Sequence, residues 1–135
     1  MFLCGKLKKN MTQKYLDELT FNVIGAAIEV HKNMGSGLLE SVYQQCMIEE
    51  LTNRNINFIT EFKVPVVYKE KELDIEFRCD LFIENCLIVE LKSVSEIKPI
   101  HDAQVLNYMN LLKVPKGIII NFNCFNIFRE GKKHL

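Results

Sequence analysis

The stretch Leu73-Asp-Ile-Glu-Phe-Arg-Cys-Asp-Leu-Phe-Ile-Glu-Asn-Cys-Leu-Ile-Val-Glu-Leu-Lys92 reads as strand, turn and strand. In its first half Leu73, Ile75, Phe77, Cys79, Leu81 and Ile83 share one face of an extended chain, while Asp74, Glu76, Arg78 and Asp80 share the other. Glu84-Asn85 marks the turn. Cys86 to Lys92 is apolar almost throughout, as expected of an interior strand, and ends in Glu90 and Lys92.

Working outward, the sequence before this hairpin predicts two helices. From about Thr12 to Met34 the residues Leu16, Leu19, Val23, Ala27 and Val30 recur at steps of three and four, and Gly35 supplies a stop. A second helix is expected from after Gly37 to about Asn53, with Leu39, Val42 and Cys46 as its apolar stripe. Phe62, Val64, Val66 and Tyr68 then alternate, with Pro65 placing that strand at an edge or a bulge. After the hairpin, Pro99 to Lys113 reads as a helix that buries Ala103, Leu106, Met109 and Leu112. Gly117 to Phe122 is an apolar strand, and Phe125 to Arg129 is a candidate for another. This order predicts one α/β domain over residues 1–135, of the α+β mixed-sheet kind, with helices flanking four or five strands. Residues 1–11 read as a flexible tail, with Met11 as a second candidate start.

Composition narrows the functional classes. The chain has 135 residues, 48% of them hydrophobic, and 17 basic residues against 17 acidic ones. One core can form, and no global field draws the protein onto a polyanion, although a local basic groove is compatible with neutrality. No apolar run approaches the roughly 18 residues that span a bilayer, and Met1–Cys4 is too short for a signal-peptide core, so a soluble cytoplasmic protein without membrane contact is expected. The five cysteines are odd in number and scattered, as reduced, mostly buried thiols would be.

The chemistry is concentrated in Asp80, Glu90 and Lys92. Residues two apart in a strand point the same way, so Glu90 and Lys92 project together. Most Glu-x-Lys strand ends are merely solvated, but one that closes an interior strand needs a partner or a metal. Asp80 lies ten positions earlier, on the other arm of the hairpin. An odd-length loop centred on Asn85 sets Asp80 opposite Glu90, whereas a two-residue turn pairs it with Val89 and separates the carboxylates. In the first register the two carboxylates and the Leu91 carbonyl form a hard oxygen donor set suited to Mg²⁺ or Mn²⁺. Lys92 would orient a water or stabilise developing charge. His101, Gln104 and Tyr108 form a polar helical stripe that can bind phosphate or base edges, or simply anchor the helix.

Asp80, Glu90-Leu-Lys92 and Gln104-x-x-x-Tyr108 together resemble the PD-(D/E)XK nuclease superfamily, particularly its exonuclease-like branch. Gly37-Leu-Leu-Glu40-Ser-Val-Tyr43 resembles the bacterial and archaeal GxxExxY family, and the likeness runs from about Ala27-Ile-Glu-Val-His31 to Ile120-Asn121-Phe122. Cys79 stands where a literal Pro-Asp pair would have its proline. The resemblance implies a restriction-endonuclease-like core in which Asp80 and Glu90 hold the metal, Lys92 assists the nucleophile and Glu40 adds a carboxylate. His31, Tyr43, His101, Gln104 and Tyr108 become accessory or substrate-binding candidates. Each has a plain structural alternative: His31 as a helix cap, Glu40 as a charge on a helix dipole, Tyr43 and the others as packing anchors. The implied activity is metal-dependent hydrolysis of nucleic acid, DNA favoured over RNA. The alternative is a catalytically silent nuclease-fold module in nucleic-acid binding or in a larger complex, with a homodimer also open.

Overall fold

Thr12 begins the first helix: its hydroxyl accepts from the Tyr15 N–H at 3.0 Å, satisfying one of the donors that a helix start leaves unpaired. The computed structural model describes residues 12–135, so the tail expected over residues 1–11 lies outside the described residues. Helix α1 spans Gln13–Met34 and buries Leu16, Leu19, Val23, Ala27 and Val30, all on the predicted stripe. It stops where Gly35, at a φ of 74°, turns its N–H back to the His31 carbonyl. Helix α2 covers Glu40–Asn53. Its buried stripe is Tyr43, Met47 and Leu51, not Leu39, Val42 and Cys46. Leu39 lies just before the helix and is 74% exposed. Met and Tyr one position round the helix carry more apolar surface than Val and Cys, and the larger side chains take the core.

Seven strands follow: β1 Phe58–Lys63, β2 Val66–Tyr68, β3 Lys71–Leu73, β4 Arg78–Ile83, β5 Leu87–Lys92, β6 Lys116–Asn121 and β7 Lys132–His134. Five make one mixed sheet in the order β1-β4-β5-β6-β7, with only β5 and β6 parallel, joined through helix α3, Pro99–Leu112. The four- to five-stranded mixed sheet is therefore realised with five.

Two strand expectations change. The alternation read as one strand from Leu73 to Ile83 is divided: Leu73 pairs with Val66 in a separate two-stranded ribbon, and β4 begins only at Arg78. Lys69 and Glu70, with φ of 49° and 69°, close that ribbon in a tight turn. Pro65 likewise separates Phe62 in β1 from Val66 in β2, as a residue without an N–H donor does in a ladder. Phe125 to Arg129 is not a strand. Ile127–Gly131 forms a π-helical turn, and the added strand comes from the basic segment after it.

Helix α3 also sits differently on the sheet. Val105, Tyr108 and Leu112 are buried, while Ala103 is exposed, Leu106 is 48% exposed and Met109 is half-buried. Gly117 in β6 permits the close approach, since a Cβ there would lie 2.5 Å from Val105 Cγ1 and 2.9 Å from Met109 Sδ. Gly117→Ala is therefore expected to lower stability by about 1–3 kcal/mol by pushing α3 outward. A denaturant midpoint equal to that of the wild type would contradict this packing.

Candidate active site

The turn between β4 and β5 determines whether a site can exist. Glu84 and Asn85 take left-handed φ of 48° and 58°, and Cys86 N–H donates to the Ile83 carbonyl at 3.0 Å. Cys86 adds a third loop residue, because Ile83 pairs with Leu87, Phe82 with Ile88 and Leu81 with Val89. One more step in that register sets Asp80 opposite Glu90. At that step the backbone ladder ends and side chains take over. Asp80 N–H donates to Glu90 Oε1 and Leu91 N–H donates to Asp80 Oδ2, each at 2.8 Å. The two carboxylates thus reach across the hairpin and interleave with its backbone.

The other edge of Asp80 is released as well. Thr60 pairs with Leu81 and Phe62 with Cys79, but Glu61 between them adopts a φ of 48°. The Asp80 carbonyl accepts instead from Gln44 Nε2 at 3.2 Å, and the same amide donates to Glu61 Oε2 at 2.8 Å. Gln44 lies one helical turn after Glu40, so one face of α2 addresses the site twice. Glu40, the first residue of α2, accepts from Ser93 N–H at 3.2 Å, and its charge acts on Asp80.

Lys92 is half-buried, and its ammonium is 3.4 Å from Gln104 Oε1. None of the ion pairs among the described residues includes it. Gln104 Nε2 donates to the Tyr108 hydroxyl at 3.0 Å, which donates to the Arg78 carbonyl at 2.7 Å. The three side chains link β5 through α3 to β4. Tyr108 thereby anchors the helix, the structural reading of the polar stripe, while Gln104 links Tyr108 to the lysine. His101 accepts through Nδ1 from Lys98 N–H at 3.0 Å and caps α3.

His31 and Tyr43 stand apart from this network. His31 Nε2 lies 3.0 Å from the Cys124 carbonyl and ties α1 to the segment after β6. Tyr43 has no exposed surface and stacks on Phe122 at 4.2 Å. Its hydroxyl donates to the Gly35 carbonyl at 2.6 Å and accepts from Leu38 N–H at 3.2 Å. That pins the loop whose Leu38 carbonyl receives Ser93 Oγ at 2.7 Å. Tyr43 therefore acts on the loop that leads into Glu40, with no surface to offer a substrate.

Sequence reasoning missed Gln44, Glu61, Ser93 and Asn121. The buried Asn121 accepts from Val94 N–H at 3.1 Å and donates to the Val94 carbonyl at 3.0 Å, holding the chain as it leaves β5. A polar residue closing an apolar strand was its available signal. Gln44 could have been found from its four-residue spacing to Glu40.

Electrostatics follow from burial. Desolvation, followed by the Asp80 charge, holds the Glu90 carboxyl well above the ordinary carboxylate range. Asp80 is raised too, first by burial and then by Glu61 and Glu40, against the lowering pull of Leu91 N–H and Lys92. Burial, together with the Glu90 charge, pushes the Tyr108 phenol up to about 12, so it stays a donor. Because the folded-state carboxyls titrate above their unfolded values of about 4, protonation favours the folded state. Their contribution is full below pH of about 4 and is lost as pH rises through the raised values. Glu90→Gln keeps an acceptor for Asp80 N–H. In chelator it should therefore raise the melting temperature by several degrees at alkaline pH, an advantage that shrinks as pH falls toward 4. A variant less stable than wild type at alkaline pH would contradict the assignment of strain to this pair.

The donor set fits a divalent cation. Each carboxylate spends one oxygen on a backbone N–H, and neither Asp80 Oδ1 nor Glu90 Oε2 has a hydrogen-bond partner among the described residues. The N–H and C=O of one strand residue point to the same edge, so Leu91, whose N–H meets Asp80, also turns its carbonyl that way. Among the described residues no three His, Cys, Asp or Glu side chains converge as a ready-made cage. Two carboxylates with a carbonyl is nevertheless the sparse set Mg²⁺ accepts while keeping several waters.

A family model described as the PD-(D/E)XK nuclease superfamily matches residues 17–134. No curated protein and no solved structure matches the chain. No helix among the described residues is long and apolar enough to cross a membrane.

Proposed function

The chain belongs to the PD-(D/E)XK nuclease superfamily, and from that membership we propose a metal-dependent nuclease that hydrolyses phosphodiester bonds of nucleic acid, DNA in preference to RNA. The observation that carries this reading is the interleaving of Asp80 and Glu90 beside Lys92, which has no ion-pair partner among the described residues. Asp80, Glu90 and the Leu91 carbonyl would hold Mg²⁺ or Mn²⁺. When bound, such an ion polarises a phosphoryl oxygen and makes water a better nucleophile. Gln104 holds the Lys92 ammonium toward the site, where it neutralises charge developing on the phosphate or orients the attacking water. Glu40 fastens the chain after β5 through Ser93 N–H, and on rearrangement its carboxylate is the nearest further acid from α2.

Assignment to the GxxExxY family is part of the same proposal, and the geometry supplies a physical reason for each spaced residue. Gly37 takes a φ of 90°, which side chains rarely adopt. Glu40 begins α2 at the site, and Tyr43 pins the intervening loop.

One second reading is a nuclease-fold module that binds without cutting, since among the described residues no three His, Cys, Asp or Glu side chains converge as a cage. Calorimetric titration of Mn²⁺ into the purified protein tests the metal claim. Saturable binding that is lost on adding excess Mg²⁺ is expected, and absence of binding would contradict it.

A further inference from the structure

Beside the site lies a cleft of about 320 Å³, bounded by one face of α3 and by Phe77, the last residue but one before Cys79 of β4. Ile100, His101, Ala103, Gln104 and Asn107 form the helical side. The volume is at the lower end of the range for small-molecule sites. Phe77 packs on Tyr108 with ring centres 4.6 Å apart, so the aromatic wall is fixed in place. Ile100 is 69% exposed, an apolar side chain left to water at the rim. The His101 Nδ1 is taken by Lys98 N–H, so the neutral ring carries its proton on Nε2 as a donor. Asn107 is exposed, and its amide makes no hydrogen bond among the described residues. Gln104 belongs to both places, since it also receives Lys92.

We propose that this cleft holds one unpaired nucleobase of the substrate, that of a nucleotide next to the phosphate at Lys92, so that the protein acts on single strands or frayed ends. The placement of the phosphate rests on the nuclease reading above. A base presents two π faces and an edge of donors and acceptors, the complement of Phe77 and Ile100 with Asn107 and His101. A paired base has its faces covered by neighbours and its edge occupied, and enters such a cleft only by leaving the stack. With a formal net charge of zero, the chain has no general field to hold a strand. Contacts of this kind then add to whatever local charge the strand meets.

The test is fluorescence anisotropy with labelled oligo(dA), oligo(rA) and an oligo(dA)·oligo(dT) duplex, in Ca²⁺, on wild type and on the double variant Ile100→Ser, Asn107→Ala. Both positions are exposed, and a melting curve checks that the variant folds. The wild type is expected to bind a single strand about tenfold or more tighter than the duplex. The variant is expected to lose about tenfold on the single strand, as for one stacked base, with duplex affinity unchanged. Loss with the DNA strand, the RNA strand or both supports the cleft and reports which sugar it tolerates. Equal affinity of wild type for single strand and duplex, no binding of either single strand, or unchanged single-strand binding in the variant overturns it. The readout is binding, so a wild type that cleaves nothing leaves a positive result standing. Cleavage by wild type with unaltered binding in the variant removes the cleft alone.

Discussion

Lys92→Ala is expected to reduce Mg²⁺-dependent cleavage by about a hundredfold to a thousandfold while the fold persists, the range for losing one group that stabilises charge in a transition state. The ammonium contacts Gln104 and no ion-pair partner among the described residues, so its removal opens no buried charge pair. The backbone role of the residue, accepting Phe122 N–H at 2.9 Å, is untouched by the substitution. Its positive charge lowers the carboxyls of Asp80 and Glu90. Without it a cation meets a more negative site, so Mn²⁺ affinity should hold or rise slightly. Kinetic loss with intact metal binding in a protein that still melts cooperatively is the expected signature. The melting temperature should be modestly lower at alkaline pH, where Lys92 had eased the two carboxylates. Weaker Mn²⁺ binding by this variant would mean that Lys92 shapes the donor set rather than the reaction.

Asp80→Ala should have the larger combined effect, losing both metal binding and cleavage. The substitution removes one of only two carboxylates in the proposed set, and hard-oxygen sites for Mg²⁺ have few ligands to spare. It also leaves Leu91 N–H without its acceptor, at a cost of about 1–3 kcal/mol. Relief of the repulsion felt by Glu90 offsets part of that cost, so the variant should fold. Asp80→Asn separates the two effects, because its amide oxygen can still accept from Leu91 N–H. It should melt at or above the wild-type temperature in chelator and still fail to bind Mn²⁺ with wild-type affinity. An Asn variant that binds and cleaves normally would show that the Asp80 charge is not what holds the ion.

The hairpin was the most legible part of the chain, because face and register in strands depend on parity. Ten residues from Asp80 to Glu90, about a loop centred on Asn85, permit one register in which the carboxylates meet, and the Leu81–Val89 pair belongs to it. Helix α1 was legible because its apolar residues occupy a single stripe. Helices α2 and α3 were not, since both carry apolar residues on more than one side. In α3 the sequence favours Ala103 and Leu106, yet the sheet receives Val105 and Tyr108, drawn in by the Arg78 carbonyl and the space at Gly117. No periodicity contains such a contact. The start of β4 was obscured for a similar reason, as Leu73 fits the alternation but is claimed by the ribbon closed at Lys69 and Glu70.

Within the site, Asp80, Glu90, Lys92 and Gln104 could be read from spacing and from the motif they resemble. Gln44 offered only its four-residue spacing to Glu40 as a signal, and Glu61 offered none. Glu61 matters because it lies beside Asp80 with a left-handed φ, a conformation that an ordinary strand residue does not announce. Tyr43 was legible as a marked position but not as a buried one, since a tyrosine at that spacing suits a substrate contact or a loop anchor equally well.

The central claim is that Asp80, Glu90 and Lys92 form a hydrolytic site, and one cleavage assay tests it most directly. Wild type, Lys92→Ala and Asp80→Ala, purified identically, are incubated with single-stranded DNA, duplex DNA and RNA in Mg²⁺, in Mn²⁺ and in chelator. The expected result is metal-dependent cleavage of at least one substrate by wild type, absent in chelator and reduced to background in both variants. No cleavage of any substrate by wild type, or equal cleavage by all three proteins, would contradict the nuclease assignment.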